Sequence, residues 1–381
     1  MEEKKNVPKR RFEGFEGEWE QHRLGESYHV TMGQSPQSSN YTKNPDDHIL
    51  VQGNADITNG KIVPRVWTKQ ITKNAEKGDV ILTVRAPVGE VAISNYDIVL
   101  GRGVAALKGS YFLYSLLMYM EQIQYWDRFS TGSTFESINS DNIENAIIFI
   151  PNILEQQQIG QFFQQLDNLI ELHQQKLQKL KAQKQAYLSE MFPQEGETKP
   201  KRRFAGFDGE WETFYLNEIA EKFDNLRIPI TSSKRIGGPT PYYGANGIQD
   251  YVQGFTHDGE FVLLAEDGAN DLQNYPVHFV NGKVWVNNHA HVLQGKSDVV
   301  DNYFLMFLLK QLDFTPYLVG GSRAKLNADI MMGLKVIIPT YKEQQKNGAF
   351  FQKLDSLIEK QEERVKKYQA LKQAYLNEMF V

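Results

Sequence analysis

Apolar side chains recur in alternating steps of three and four residues through two stretches of this chain. The first runs Ile159, Phe163, Leu166, Ile170, His173, Leu177, Leu180, Lys184, Tyr187, Met191. The second runs Asn347, Phe351, Leu354, Ile358, Gln361, Val365, Tyr368, Lys372, Tyr375, Met379. A step that averages 3.5 residues is a heptad seam. The residues around it are mostly Gln, Leu, Lys, Glu and Ala, all good helix formers, and neither Gly nor Pro falls between Gly160 and Pro193. Each stretch therefore predicts a helix on the order of 55 Å long at the usual rise. One such helix cannot bury its own seam, and the other copy is its obvious partner. The polar interruptions match: His173 stands with Gln361, and Lys184 with Lys372. Polar seam residues cost stability but fix register and partner. Each globular region runs directly into its own helix, so the two helices should pair antiparallel, with one globular domain at each end, as a pseudo-two-fold dumbbell.

The same duplication shows elsewhere. PKRRFEGFEGEWE at Pro8–Glu20 returns as PKRRFAGFDGEWE at Pro200–Glu212, with eleven of thirteen residues identical at an offset of 192. The helical repeat begins at Glu155 (EQQQIGQFFQQLDNLIELHQQ) and again at Glu343 (EQQKNGAFFQKLDSLIEKQEE), an offset of 188. Between the repeats the two halves are related only faintly, as in Gly78–Leu82 against Gly259–Leu263, or Tyr111–Leu113 against Tyr303–Leu305. The predicted organisation is a first globular domain over 1–151, a helix over 152–192, a linker over 193–212, a second domain over 213–339 and a second helix over 340–381. Both globular domains show short β-rich bursts punctuated by glycine. Strands are predicted over Asp79–Val84, Glu90–Ile93 and Ala146–Ile150, with a helix near Tyr111–Trp126. In the second domain they are predicted over Phe261–Ala265, Val277–Val280, Lys283–Val286 and Lys335–Ile338, with a helix near Asp301–Leu312. The fold class is α+β.

Composition narrows the chemistry. The chain has no cysteine, which excludes a disulfide scaffold and any Cys-ligated metal or iron–sulfur centre and fits a reducing cytoplasm. The opening MEEKKNVPKRRFEG lacks the apolar core of a signal peptide. The longest apolar runs, near Tyr111–Met120 and Tyr303–Leu309, are too short to cross a bilayer. The net charge of −5 counts against an independent nucleic-acid binder, because phosphate contacts need Lys and Arg. A DNA contact must then rest on local patches or on help from a partner.

Local patches exist. Lys61, Arg65, Trp67, Lys69, Arg85 and Arg102 are basic or aromatic and lie beside turn glycines of the first domain, and Arg128, Ser130, Thr131 and Ser133 fall in a polar loop before its final strand. In the second domain Tyr242, Tyr243 and Asn246 occupy an aromatic, glycine-rich turn, and Ser322, Arg323 and Lys325 stand where Thr134–Ser137 stand in the first. Arg and Lys can take guanine edges, Asn and Gln adenine edges, and Ser, Thr and backbone amides phosphates. A lone loop arginine is more often a solvated charge, Trp67 serves equally as core, and Ser/Thr/Gly loops are common turn chemistry. The reading therefore rests on the set.

With its repeats, helices and loops in this order, the chain resembles the specificity subunit of type I restriction–modification systems over nearly its whole length. The helical repeat from Glu155 is similar to that family's spacer helix. GEWEQHRLGE (Gly17–Glu26) and GEWETFYLNE (Gly209–Glu218) resemble its domain-opening motif. GDVILTVRAPVGEVAI (Gly78–Ile93) and PYYGANGIQDYV (Pro241–Val252) resemble segments of its target-recognition domains. The resemblance implies a subunit without catalysis or cofactor of its own. Each recognition domain reads one half of a split target in double-stranded DNA through the major groove, and the helices set the gap. Two modification subunits bring S-adenosylmethionine and methylate adenine, and restriction subunits add ATP- and Mg-dependent translocation and cleavage. No membrane is involved. Base-contacting residues do not carry over, because the recognition domains are the family's variable parts.

Two other classes compete with this reading. An enzyme acting alone finds little support. The chain has no Pro-Pro for an amino-methyltransferase motif, Gly295-Lys296-Ser297 lacks the earlier glycine of a phosphate-binding loop (Ala290 stands there), and His289-Ala-His291 has no HExxH-type companion and reads as strand alternation. A coiled-coil adaptor with two non-DNA-binding globules would suit the frame equally. Only the motif resemblance and the loop basic residues favour DNA over it.

Overall fold

The computed structural model describes residues 6–129, 137–320 and 324–381. Two compact units form, one from Met1–Gln175 with Glu363–Val381 and the other from Lys176–Glu362. The two long helices, Ile153–Met191 and Tyr341–Met379, are each 39 residues and each contribute a stretch to both units. Among the described residues no helix is long and apolar enough to cross a membrane.

In the first unit two sheets pack around one strand that is buried throughout. Val80–Thr83 is the third strand of a six-stranded sheet, between Val104–Leu107 and Val91–Ile93. Both pairings are antiparallel, with Leu107 opposite Val80 and Val91 opposite Leu82. Successive side chains on a strand point to opposite faces. Val80 and Leu82 accordingly meet the helix Tyr111–Gln122, while Ile81 meets Val51, Ile98 and Leu100 of a five-stranded sheet. The run VILT lacks alternation because both of its faces are buried.

The second unit repeats the scheme with one larger sheet. Its strand order is Ala220–Lys222, Ala290–Gly295, His257–Ala265, Val277–Val286, Gly237–Gly244, Gly247–Val252. Val262 and Leu264 face the helix Asn302–Lys310, and Phe261 and Leu263 face the opposite cluster. The two strands predicted over Val277–Val280 and Lys283–Val286 are one. Gly282 sits opposite Gly259 in the ladder, and both take a positive φ (+89° and +139°) that glycine accommodates where the two predicted strands join. The segment Tyr242–Gly244 is likewise strand, and only Ala245–Asn246 turns the chain.

Both units close on equivalent two-stranded ribbons. Glu20 pairs with Ile150, and Glu212 with Ile338. Each Trp of the repeated GEW motif packs at the end of a long helix, Trp19 on Phe380 and Trp211 on Phe192. The preceding arginines clamp the helices. In the first unit Arg11 forms a two-pronged pair with Glu155 (2.7 Å at both prongs) and Arg10 pairs with Glu378 (2.5 Å). In the second, Arg203 grips Glu343 and Arg202 grips Glu190 in the same manner. Glu155 and Glu343 are almost completely buried.

The seam predicted from the 3-4 spacing is the covered face of both helices. Phe163, Ile170, Phe351, Leu354 and Val365 are buried, and Leu166, Leu177, Leu180, Tyr187, Ile358, Tyr368 and Tyr375 are half-buried. Pairing is antiparallel within each unit. In the first, Phe162 meets Tyr375 and His173 stacks on Tyr368 (5.1 Å between ring centres). In the second, Tyr187 meets Phe350 and Lys181 pairs with Glu362. Gly160 and Gly348 interrupt otherwise helix-favouring runs for a packing reason. A Cβ on Gly160 would lie 2.9 Å from the backbone nitrogen of Phe112, and one on Gly348 would lie 2.8 Å from the Asp301 carboxylate, the N-cap of the helix that crosses there.

Candidate nucleic-acid interface

A polar cleft of about 620 Å³ opens in the first unit between Ser35–Ser38, Gln52–Asn54, Arg85 and Arg102. Three chain segments converge there because glycine lets their backbones touch. A Cβ on Gly103 would sit 2.0 Å from the Gln52 carbonyl oxygen, and one on Gly33 would sit 2.0 Å from that of Gly101. Gly101 N–H donates to Val51 O (2.7 Å), and Val84 N–H donates to Gly103 O (2.9 Å). Arg102, at the tip of this turn, is held through its backbone, whose N–H donates to Ser35 Oγ (3.2 Å). Arg85 enters from the other side on the loop after Val80–Thr83. Buried Thr83 pins that loop, its hydroxyl donating to Pro87 O (2.8 Å) and accepting from Glu90 N–H (2.9 Å). The isolated bridge between Arg85 and Ser137 adds a second anchor.

Both arginine side chains are exposed, and neither has a side-chain partner among the described residues. Gln52 is oriented by a bond from its amide to Tyr41 Oη (3.1 Å) and through its backbone by buried Asp56 (2.8 Å). The cleft thus offers two exposed guanidinium groups, a fixed amide and the polar edges of Gln37 and Asn54. These are the groups that contact guanine, adenine and phosphate. The sequence reading missed Ser35, Gln37, Gln52 and Asn54. Their signal was the polar run after Gly33 and the Gln-Gly-Asn turn after an apolar strand.

The other candidates of the first domain lie elsewhere. Lys61 is paired with Glu171 of the first long helix (2.5 Å). Arg65 donates to Ala55 O (3.0 Å), and Lys69, exposed, follows half-buried Trp67 on the short strand beside Tyr41 and His48. Arg128 lies over the Tyr125 ring, 3.8 Å from its centre. Ser130, Thr131, Ser133, Ser322 and Arg323 lie outside the described residues.

In the second unit the structure gives four candidates other surroundings than an open loop. Tyr242 is 1% exposed, and its hydroxyl accepts from Ile230 N–H (3.0 Å) and donates to Ile230 O (3.2 Å). It anchors the loop before its strand and presents no face to a ligand. Tyr243 is half-buried beside His278. Asn246 is exposed, yet both ends of its amide are occupied. Its NH₂ donates to Gly268 O (2.9 Å) and its oxygen accepts from Asn270 N–H (3.0 Å), which holds the loop after the strand His257–Ala265. Lys325 is bound to Glu266 (3.0 Å) and bridges to Asp267, much as Ser137 bridges to Arg85.

Lys325 belongs to an ion network with Arg227, Asp224, Glu266 and His291. Arg227 donates to Glu266 (2.7 Å), and the two ring nitrogens of His291 face Asp224 (2.7 Å) and Leu326 O (2.9 Å). Burial alone would raise the Asp224 and Glu266 carboxyls. The bond from His291 to Asp224, and those from Arg227 and Lys325 to Glu266, outweigh it and hold both below their usual values. Asp224, Glu266 and His291 lie close enough together to hold a metal ion, but Arg227 and Lys325 already neutralise the two carboxylates. The network joins the loop at Asp224 to three strands.

Comparison with known proteins follows the same duplication. The model of the type I restriction modification DNA specificity domain matches residues 16–182 and again 208–367. A Haemophilus influenzae chain described as a type I restriction enzyme specificity subunit is 47% identical over 134 residues, 35% of this chain and 34% of that one. The MjaX specificity subunit described in Methanocaldococcus jannaschii is 29% identical over 181 residues, 45% of this chain and 42% of that one. The matches therefore span less than half of either relative. Among solved structures, the S subunit of a type I restriction–modification system from M. genitalium superposes with a TM-score of 0.70 at 15% identity, covering 98% of this chain and 99% of that one. At this identity the likeness is one of fold. The two matched stretches together cover well over half of the sequence, and the chain belongs to the type I restriction modification DNA specificity family.

Proposed function

We propose that this chain reads a split target in double-stranded DNA for a type I restriction–modification complex. The first recognition domain reads one half through the cleft of Arg85, Arg102, Gln52 and Asn54. The second reads the other half, and the paired helices set the gap between them. The chain supplies recognition and framework and no catalytic group. Two modification subunits methylate adenine with S-adenosylmethionine, and restriction subunits cleave with ATP and Mg, alongside DNA in the cytoplasm. The observation that carries the reading is the cleft, where two exposed arginines, without side-chain partners among the described residues, are held on pinned backbone in a chain that is acidic overall. A net negative charge disfavours binding DNA broadly, so exposed positive groups gathered at one concave site have a local purpose.

The test is co-expression with the cognate modification subunit and mapping of methylated adenine across a plasmid library. The expected result is a two-part motif with a fixed gap and adenine methylated in both halves. An assembled, cofactor-binding complex that methylates nothing would overturn the reading.

A further inference from the structure

Each unit contains the same trio of polar side chains, drawn from three different elements. In the first, Tyr111 of the recognition-domain helix donates to Asp167 Oδ2 (2.9 Å), and Lys372 of the second long helix reaches the same carboxylate (2.7 Å). In the second, Tyr303 donates to Asp355 Oδ2 (3.1 Å), and Lys184 of the first long helix pairs with Asp355. Asp167 and Asp355, like Lys184 and Lys372, are separated by the 188 residues of the helical repeat. Each long helix thus gives an aspartate to one unit and a lysine to the other. Apolar side chains pack against the lysines. Lys372 is 8% exposed and lies 3.2 Å from Met118 Sδ and over the Tyr114 ring, while Lys184 lies over the Phe307 ring. Burial and the neighbouring Asp charge push both Tyr111 and Tyr303 well above the usual phenol range, so both hydroxyls stay protonated and donate.

Stability alone does not call for this arrangement, since well-packed apolar residues often serve as well as a partly buried ion pair. An apolar heptad seam is tolerant of register, because a shift by one repeat brings leucine-like residues opposite leucine-like residues again. A half-buried carboxylate that must meet one ammonium and one hydroxyl has a single solution. The tyrosine extends that solution from the two helices to the recognition domain.

We propose that the trios Tyr111–Asp167–Lys372 and Tyr303–Asp355–Lys184 are positioning residues that fix where each recognition domain sits along the paired helices, and so restrict the complex to one gap length between half-sites. The inference rests on the split-target reading above and assigns to six residues a selectivity that helix length alone would leave loose.

The test compares methylation maps of the wild-type complex and of Tyr111→Phe combined with Tyr303→Phe, which removes two hydroxyls and leaves the ring packing. The half-site sequences should stay the same. The ratio of methylation at the native gap to that at gaps one base pair longer or shorter should fall on the order of tenfold, as expected when a positioned site loosens by a fraction of an ångström. Asp167→Asn should broaden the gap further, and Asp167→Lys with Lys372→Asp should narrow it again. A variant with a lower melting temperature but an unchanged gap ratio would show that the trios only pack the structure, and the proposal would fall. It would equally fall if the charge exchange melted like wild type and stayed broad. A wild-type map with no split motif would instead remove the reading beneath it.

Discussion

Arg85 and Arg102 come from loops seventeen residues apart in sequence, and both are aimed by bonds that spare their side chains. Arg85→Ala and Arg102→Ala should each weaken DNA binding by about 1–3 kcal/mol without lowering the melting temperature. Titration against base-substituted half-sites tells the roles apart. A base contact relaxes preference at one position, whereas a phosphate contact weakens all sequences alike and reduces the salt slope by about one. No change in affinity for either variant would remove the cleft from the interface. The type of these residues was legible in the sequence. Their separation from Lys61, Arg65 and Tyr242 was not, because it depends on Glu171, on the Ala55 carbonyl and on Ile230, none of which neighbours them in sequence. The ion network makes a prediction with a sign. Asp224 and Glu266 have depressed carboxyls, so their contribution is present above about pH 4, the unfolded range, and is lost as pH falls through their lower folded values. Glu266→Gln should lower the melting temperature at pH 7 and flatten its decline between about pH 5 and pH 2. A decline as steep as wild type would mean that other carboxylates govern acid unfolding.

The long helices show what a periodic pattern can and cannot convey. Their seam was readable because 3-4 spacing maps directly onto one face, and Phe163, Ile170, Leu354 and Val365 are buried where it placed them. Their polar members were readable as exceptions but not as partners. Lys184 and Lys372 find aspartates on the opposite helix, whereas His173 stacks on Tyr368. Gly160 was read only as a boundary. Its role depends on a crossing helix some fifty residues earlier in the chain, which periodicity does not encode. Gly160→Ala should therefore destabilise the chain by about 1–3 kcal/mol through overpacking against Phe112, although alanine favours a helix over glycine by about 1 kcal/mol. Thermal melting decides the sign, and a gain in stability would mean that the crossing helix yields without cost.

For the whole molecule, duplication was the most legible feature. It is repeated in three dimensions by paired clamps, ribbons and trios. Inserting one heptad in each long helix, in phase, lengthens each by about 10 Å, so the complex should methylate targets whose gap is wider by about three base pairs with unchanged half-sites. A constant gap would end the view that helix length sets the span. The duplication also conceals an asymmetry in time. The second unit is one contiguous stretch, Lys176–Glu362, whereas the first needs Glu363–Val381 to finish it. Phe380 is the ring that Trp19, Phe112, Tyr119 and Phe163 close around, while its counterpart Phe192 precedes Trp211, Phe304 and Phe351. At about 5–20 residues per second on the ribosome, the first unit waits on the order of ten seconds or more after its own sheets emerge, with its aromatic core uncovered. A product whose two units repeat one plan is thus built in a fixed order, and the unit begun first is completed last.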